Sequence, residues 1–148
     1  MQSISACLWF DKEAEAAAEF YVSLFPNSKI LSKTYYKTET PSNMPIGSVL
    51  TVNFSINGQE FTALNGGSFF KLSEAVSFVV KCKDQKELDY YWEKLSAVPA
   101  SEICGWCKDK FGLSWQVVPE NIEELTSTEK GMKKLLDMKK IVIKDFED

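Results

Sequence analysis

Residues 48–67 read SVLTVNFSINGQEFTALNGG, and this stretch decides the fold class. Val49, Thr51, Asn53 and Ser55 alternate with Leu50, Val52, Phe54 and Ile56, the two-residue period of a strand with one wetter and one apolar face. Asn57-Gly58 follows. Both residues tolerate the positive φ of a two-residue hairpin turn, so the chain doubles back. Gln59 to Leu64 is the return strand, and Asn65-Gly66-Gly67-Ser68 ends it. Towards the N-terminus, Ile4 to Phe10 reads as a strand and Asp11 opens a helix. Its apolar positions, Ala14, Ala17, Ala18, Tyr21, Leu24 and Phe25, form one buried stripe, and Pro26-Asn27 stops it. Lys29 to Lys37 is a further strand. Thr38 to Pro45, with two prolines, is a loop. The order is strand, helix, three strands.

A similar order returns downstream. Ala75 to Cys82 is an apolar strand. Asp84 with Glu87 has the spacing of a capping box, and the helix stripe is Leu88, Tyr91, Trp92 and Leu95. Ser101 to Lys108 and Leu113 to Val118 read as strands, joined by Asp109-Lys110-Phe111-Gly112 and closed by Pro119. Each helix carries an aromatic pair, Phe20-Tyr21 and Tyr90-Tyr91. The expectation is a single α+β domain over 1–148, built from two βαβββ repeats at about 3–67 and 74–119, with a tail at 120–148. Neither repeat has enough faces to enclose a core alone, so the two sheets should pair. In the tail, Thr128 to Met138 reads as a helix burying Met132, Leu135 and Leu136. Ile141-Val142-Ile143 reads as a short strand, able to cover a sheet edge or pair with a second subunit.

Composition narrows the function classes. The 148 residues suit one domain, with 45% hydrophobic and 26% charged residues and a net charge of −4. No basic stripe stands out, and the Lys-rich stretch from Lys130 to Lys144 is diluted by Asp137, Asp145 and Glu147, so no nucleic-acid partner is expected. No secretory signal or membrane span is read, and the expected location is cytoplasmic. Of the four cysteines, Cys104 and Cys107 have C-x-x-C spacing. They precede a hairpin turn rather than a helix start, and Cys7 and Cys82 supply no second pair, so ordinary buried thiols are expected.

Five stretches carry a family resemblance. They are residues 16–21 (AAAEFY) with 24–30 (LFPNSKI), 58–67 (GQEFTALNGG), 104–106 (CGW), 108–119 (KDKFGLSWQVVP) and 138–141 (MKKI). In this order they resemble the PhnB-like group of the glyoxalase/bleomycin-resistance/dioxygenase superfamily, also called the vicinal-oxygen-chelate fold. Cys107 stands where relatives usually carry an apolar residue. The resemblance implies curled mixed sheets around a cleft and, commonly, a homodimer. Domains of this group often bear the label 3-demethylubiquinone-9 3-methyltransferase. No glycine-rich loop follows a first strand here, however, and no acidic residue is placed for a nucleoside ribose.

Superfamily enzymes hold one divalent metal with two side chains from each repeat. The resemblance places those positions at Ser5, at Ala63 or Asn65, at Ser77 and at Gln116. The chain has no His, and hydroxyls are poor ligands for zinc, nickel or iron(II). No metal and no cofactor are therefore expected. Asp11 and Asp84 read as helix caps and Asp109 as a turn residue. The cleft would instead be lined by Ser5, Cys7, Trp9, Asn65, Ser77, Trp106 and Gln116, aromatic walls with a few hydrogen-bonding groups, which suits a small organic ligand. The alternatives are a superfamily enzyme (lyase, isomerase, dioxygenase or the labelled methyltransferase) and a ligand-free structural homodimer.

Overall fold

The computed structural model describes residues 3–147. Two compact units divide the chain, one up to Leu72 and one from Ser73. Their sheets have four and three strands, and neither closes.

In the first unit the order is β1 (Ala6–Phe10), α1 (Ala14–Leu24), β2 (Lys29–Tyr35), β3 (Val49–Ile56) and β4 (Gln59–Asn65). The sheet order is β1-β4-β3-β2, with β1 parallel to β4 and the other pairs antiparallel. Asn57 and Gly58 adopt φ values of 48° and 86°, as a two-residue turn of primed type requires. Leu8, Phe10, Val52, Phe54, Phe61 and Ala63 are buried on one sheet face. That face carries α1, whose Ala14, Ala17, Ala18, Tyr21 and Leu24 are buried as the periodicity expects. Small alanines let the helix approach closely, and Tyr21 meets Phe54 with ring centres 6.1 Å apart.

The second unit contains β5 (Ser77–Cys82), α2 (Gln85–Leu95), β6 (Trp106–Lys108) and β7 (Ser114–Pro119), in sheet order β5-β7-β6. Here the architecture departs from a second βαβββ copy. The strand expected from Ser101 shrinks to Trp106–Lys108. Pro99–Ser101 forms a 3₁₀ turn, and Cys104 and Gly105 both take left-handed φ, 53° and 84°. They reverse the chain so tightly that Ile103 pairs directly with Trp106. A strand of the first repeat is thus reduced to one residue pair in the second.

The tail packs on this second unit. It continues with α3 (Ile122–Leu125) and α4 (Glu129–Leu136) and ends in a 3₁₀ turn, Ile143–Phe146. Two expectations fail there. Met132 and Leu136 are 42% and 59% exposed, because α4 approaches its neighbour through Gly131, where any Cβ would overlap the Leu125 carbonyl. The 141–143 run forms no strand. Ile141 is instead a fully buried plug against Gly105, whose added Cβ would lie 2.7 Å from its Cδ1. Gln85 holds the segment from both sides, donating to the Ile141 carbonyl at 3.0 Å and accepting from Ile143 N–H at 2.8 Å. The spare strand that supported subunit pairing is therefore spent inside the chain.

Candidate functional site

Each sheet has one face with a helix and one without, and strand alternation sorts the expected site residues between them. In the first unit Cys7 lies opposite Thr62, Thr62 opposite Asn53, and Asn53 beside Ser32, all on the helix-free face. Thr62 donates to Asn53 Oδ1 at 2.7 Å, and Asn53 Nδ2 donates to Ser32 at 3.0 Å. The Thr34 and Thr51 hydroxyls pair at 2.5 Å in an adjacent row. Ser5, Glu60 and this ladder border an open hollow of about 320 Å³. Burial raises the Cys7 thiol above its ordinary value, so the thiolate is disfavoured.

Trp9 shares that face. Its indole N–H donates to the Gly67 carbonyl at 2.9 Å, and Phe70 meets the ring edge-on at 4.9 Å. The ring lies against Gly66, where any Cβ would overlap the indole. The two glycines therefore seat a tryptophan; they do not form a phosphate loop.

Asn65 lies on the other face. It pairs in register with Phe10 beneath α1; its Oδ1 accepts from Ala14 N–H at 2.8 Å and its Nδ2 donates to the Val49 carbonyl at 3.0 Å. The sequence reading put Asn65 or Ala63 in the cleft, but both turn to the helix side, and Thr62 and Leu64 take the helix-free positions. Asn65 also supplies the acceptor that Asp11 was expected to give α1. It is held further by Tyr36, whose hydroxyl donates to the Asn65 carbonyl.

In the second unit two rows of the helix-free face run Ser77–Ser114–Lys108 and Val79–Gln116–Trp106. Gln116 Nε2 donates to Ser77 Oγ at 3.0 Å, joining the rows. Lys108 makes an ion pair with Glu74, whose carboxyl is held below its ordinary range chiefly by that hydrogen bond. Ser114 is 1% exposed, and among the described residues its Oγ is the buried side-chain polar atom with no hydrogen bond. Sequence reasoning missed Ser114 and Lys108. Alternation with Gln116 would have found the serine; the lysine needs the β6–β7 register.

The opposite face carries α2, with Trp115 meeting Phe78 edge-on at 5.4 Å. Asp109 anchors the hairpin from inside. Its carboxylate accepts from Phe111 N–H at 2.8 Å, Leu113 N–H at 3.1 Å and the Trp115 indole at 2.8 Å. Burial pushes the Cys82 and Cys107 thiols up to about 12, so neither supplies a thiolate near neutral pH.

These residues do not fit the superfamily metal. The sequence contains no His, the relevant positions offer hydroxyls and one amide, and no group of three or more His, Cys, Asp or Glu among the described residues is placed to hold an ion. Nor is any described helix long and apolar enough to cross a membrane.

Residues 2–118 match the model of the family described as 3-demethylubiquinone-9 3-methyltransferase. Among solved structures, the chain is similar to a PhnB protein from Bacillus cereus, described as a candidate 3-demethylubiquinone-9 3-methyltransferase. The two share 33% identity with a TM-score of 0.64, over 79% of this chain and 99% of that one. It also shares its fold with protein PA1353 from Pseudomonas aeruginosa, at 13% identity and a TM-score of 0.57, over 80% and 97% of the two chains. No curated protein sequence matches the chain.

Proposed function

This chain belongs to the 3-demethylubiquinone-9 3-methyltransferase family, the PhnB-like group, and on that premise we propose that it binds a small, partly planar organic molecule without a metal. The observation that carries this reading is the helix-free face of the second sheet. There Ser77 and Gln116, from separate strands, hydrogen-bond at 3.0 Å beside the half-buried indole of Trp106. A ring with hydrogen-bonding groups next to it recognises a planar molecule with polar substituents. Hydroxyls and an amide do not ionise near neutral pH, so they orient a ligand better than they move protons. Methyl transfer is the weaker reading, since Gly66 and Gly67 are occupied in seating Trp9.

The test is a panel of small aromatic compounds, followed by tryptophan emission and melting temperature. A true ligand quenches emission and raises the melting point, by about 2.7 kcal/mol of stabilisation at one hundred times Kd. Trp106→Leu should abolish the quenching, and Gln116→Ala should weaken binding roughly tenfold, the worth of about one hydrogen bond. A panel in which no compound moves either signal, or protein that carries stoichiometric metal lost on Gln116→Ala, would sink the reading.

A further inference from the structure

The second sheet holds a group of donors that its own fold does not use. Ser114 lies between Ser77 and Lys108 in register. Its neighbours along the strand, Trp115 and Leu113, are buried, and its own hydroxyl is buried with no partner. Native proteins pair nearly all such groups, so an orphan requires an explanation. Beside it, Ser77 accepts from Gln116, which leaves the Ser77 hydroxyl proton for another acceptor. On the far side stands the Lys108 ammonium. Its partner, Glu74, comes from the segment just before β5, while Lys108 sits on β6 beside Ser114. The Glu74 carboxylate is thus already positioned at the end of this row, on a side chain 61% exposed. A carboxylate that open to solvent is readily exchanged.

We propose that this row is a carboxylate site: Ser77, Ser114 and Lys108 take a carboxylate group of the ligand, and Glu74 is the internal carboxylate it displaces. The proposal rests on the binding function above and names its ligand class. Two hydroxyl donors and one ammonium match a single negative charge with two acceptor oxygens. Lys108 would repel a cation and gain nothing from a neutral group. The Trp106 and Gln116 row next to it offers a surface for the rest of the molecule.

The experiment pairs acids with their uncharged counterparts: benzoate with benzamide, and indole-3-carboxylate with its amide. Binding is followed by ligand-observed NMR and melting temperature on the full chain. The acids should bind at least tenfold more tightly than the amides. Ser114→Ala and Lys108→Met should each erase that preference, and Glu74→Gln should strengthen acid binding severalfold. Ser114→Ala carries a second readout. Removing a buried hydroxyl without a partner should hold or raise the melting temperature while acid binding falls. A lower melting temperature with acid binding intact would show that the hydroxyl serves the fold, and would overturn the proposal. Equal binding of acids and amides would overturn it and leave the general binding reading standing. Inorganic phosphate competing better than benzoate, through Ser114, would overturn the carboxylate assignment. If neither acids nor amides bind, both readings fall.

Discussion

On the first sheet's helix-free face the polar side chains close on one another, Thr62 on Asn53, Asn53 on Ser32 and Thr34 on Thr51. On the second sheet's corresponding face, Ser77 and Gln116 meet, but Ser114 is left over and Lys108 pairs with Glu74 from the segment before β5. The two faces differ in how much hydrogen-bonding capacity they keep. A self-paired ladder rigidifies its sheet and offers little to a ligand. An unpaired buried donor costs stability until something arrives to accept from it.

The repeats also differ in how they make the same local features. The first hairpin turns on Asn57-Gly58 with positive φ at both residues. The second turns on a buried carboxylate, Asp109, that accepts from two backbone N–H groups and an indole. Removing the two turns should therefore have very different consequences, and this is the largest effect expected here. Asp109→Ala removes three hydrogen bonds to a buried carboxylate and should cost about 4 kcal/mol in denaturant unfolding, from the usual worth of hydrogen bonds to charged groups. Asn57→Ala at an exposed turn should cost about 1 kcal/mol, from the strain of placing alanine at positive φ. Equal costs would erase the distinction between an anchored and a purely local turn.

The helix starts sharpen the same contrast. α2 is capped by its own Asp84, which accepts from Glu87 N–H at 2.9 Å, while Glu87 reaches back to Lys83 N–H at 3.3 Å. α1 has no such local cap; Asn65, fifty-one residues away, accepts from Ala14. Asp84→Ala should cost about 1 kcal/mol, the common price of an N-cap. Asn65→Ala should cost more, about 2–3 kcal/mol, because it removes the buried bond to Ala14 N–H and also strands the half-buried Val49 carbonyl. Thermal unfolding of the two variants would rank them; the reverse order would show that Asn65 is not the tertiary cap of α1.

The smallest effect is in pH. Glu74 is held below the usual carboxylate range first by its hydrogen bond from Lys108, and Asp89 first by that from Gln85 and then by Lys140. Groups lowered in this way add stability above the ordinary carboxylate value and lose it as pH falls through their lowered ones. Lys33 is raised, first by its hydrogen bond to Glu15, so its contribution is complete below the ordinary lysine value and fades as pH rises through the raised one. Acid should therefore loosen amides of the second unit first, and strong alkali those of the first. Both carboxylates are exposed and Lys33 is partly so, so the shifts in amide exchange should be slight. A first unit that opens first in acid would contradict this assignment.

Much of the fold was legible because it is local. The alternation of 49–56, the Asn57-Gly58 turn, the α1 stripe and the Asp84 cap depend on neighbours within a few residues, and each stands where the pattern put it. The 141–143 run looked like a strand because β-branched residues suit strands, yet Gln85 and Gly105 claim it for a plug. Likewise Cys104-Gly105 gave no familiar turn signal. Its left-handed corner is held by bonds from Cys104 and Gly105 N–H to the Met138 and Lys139 carbonyls, both 2.8 Å, which only the folded tail can supply.

The order of elements in the first unit, the apolar faces of α1 and β3, and the lack of imidazole ligands were decided by the sequence alone, since period, turn chemistry and residue type are local properties. Which face Asn65 takes, that Ser114 is left without a partner, and that Lys108 stands in its row were decided only by the tertiary structure. Each of these depends on strand register between segments far apart in the chain, and a register shift of one residue sends a side chain to the opposite face.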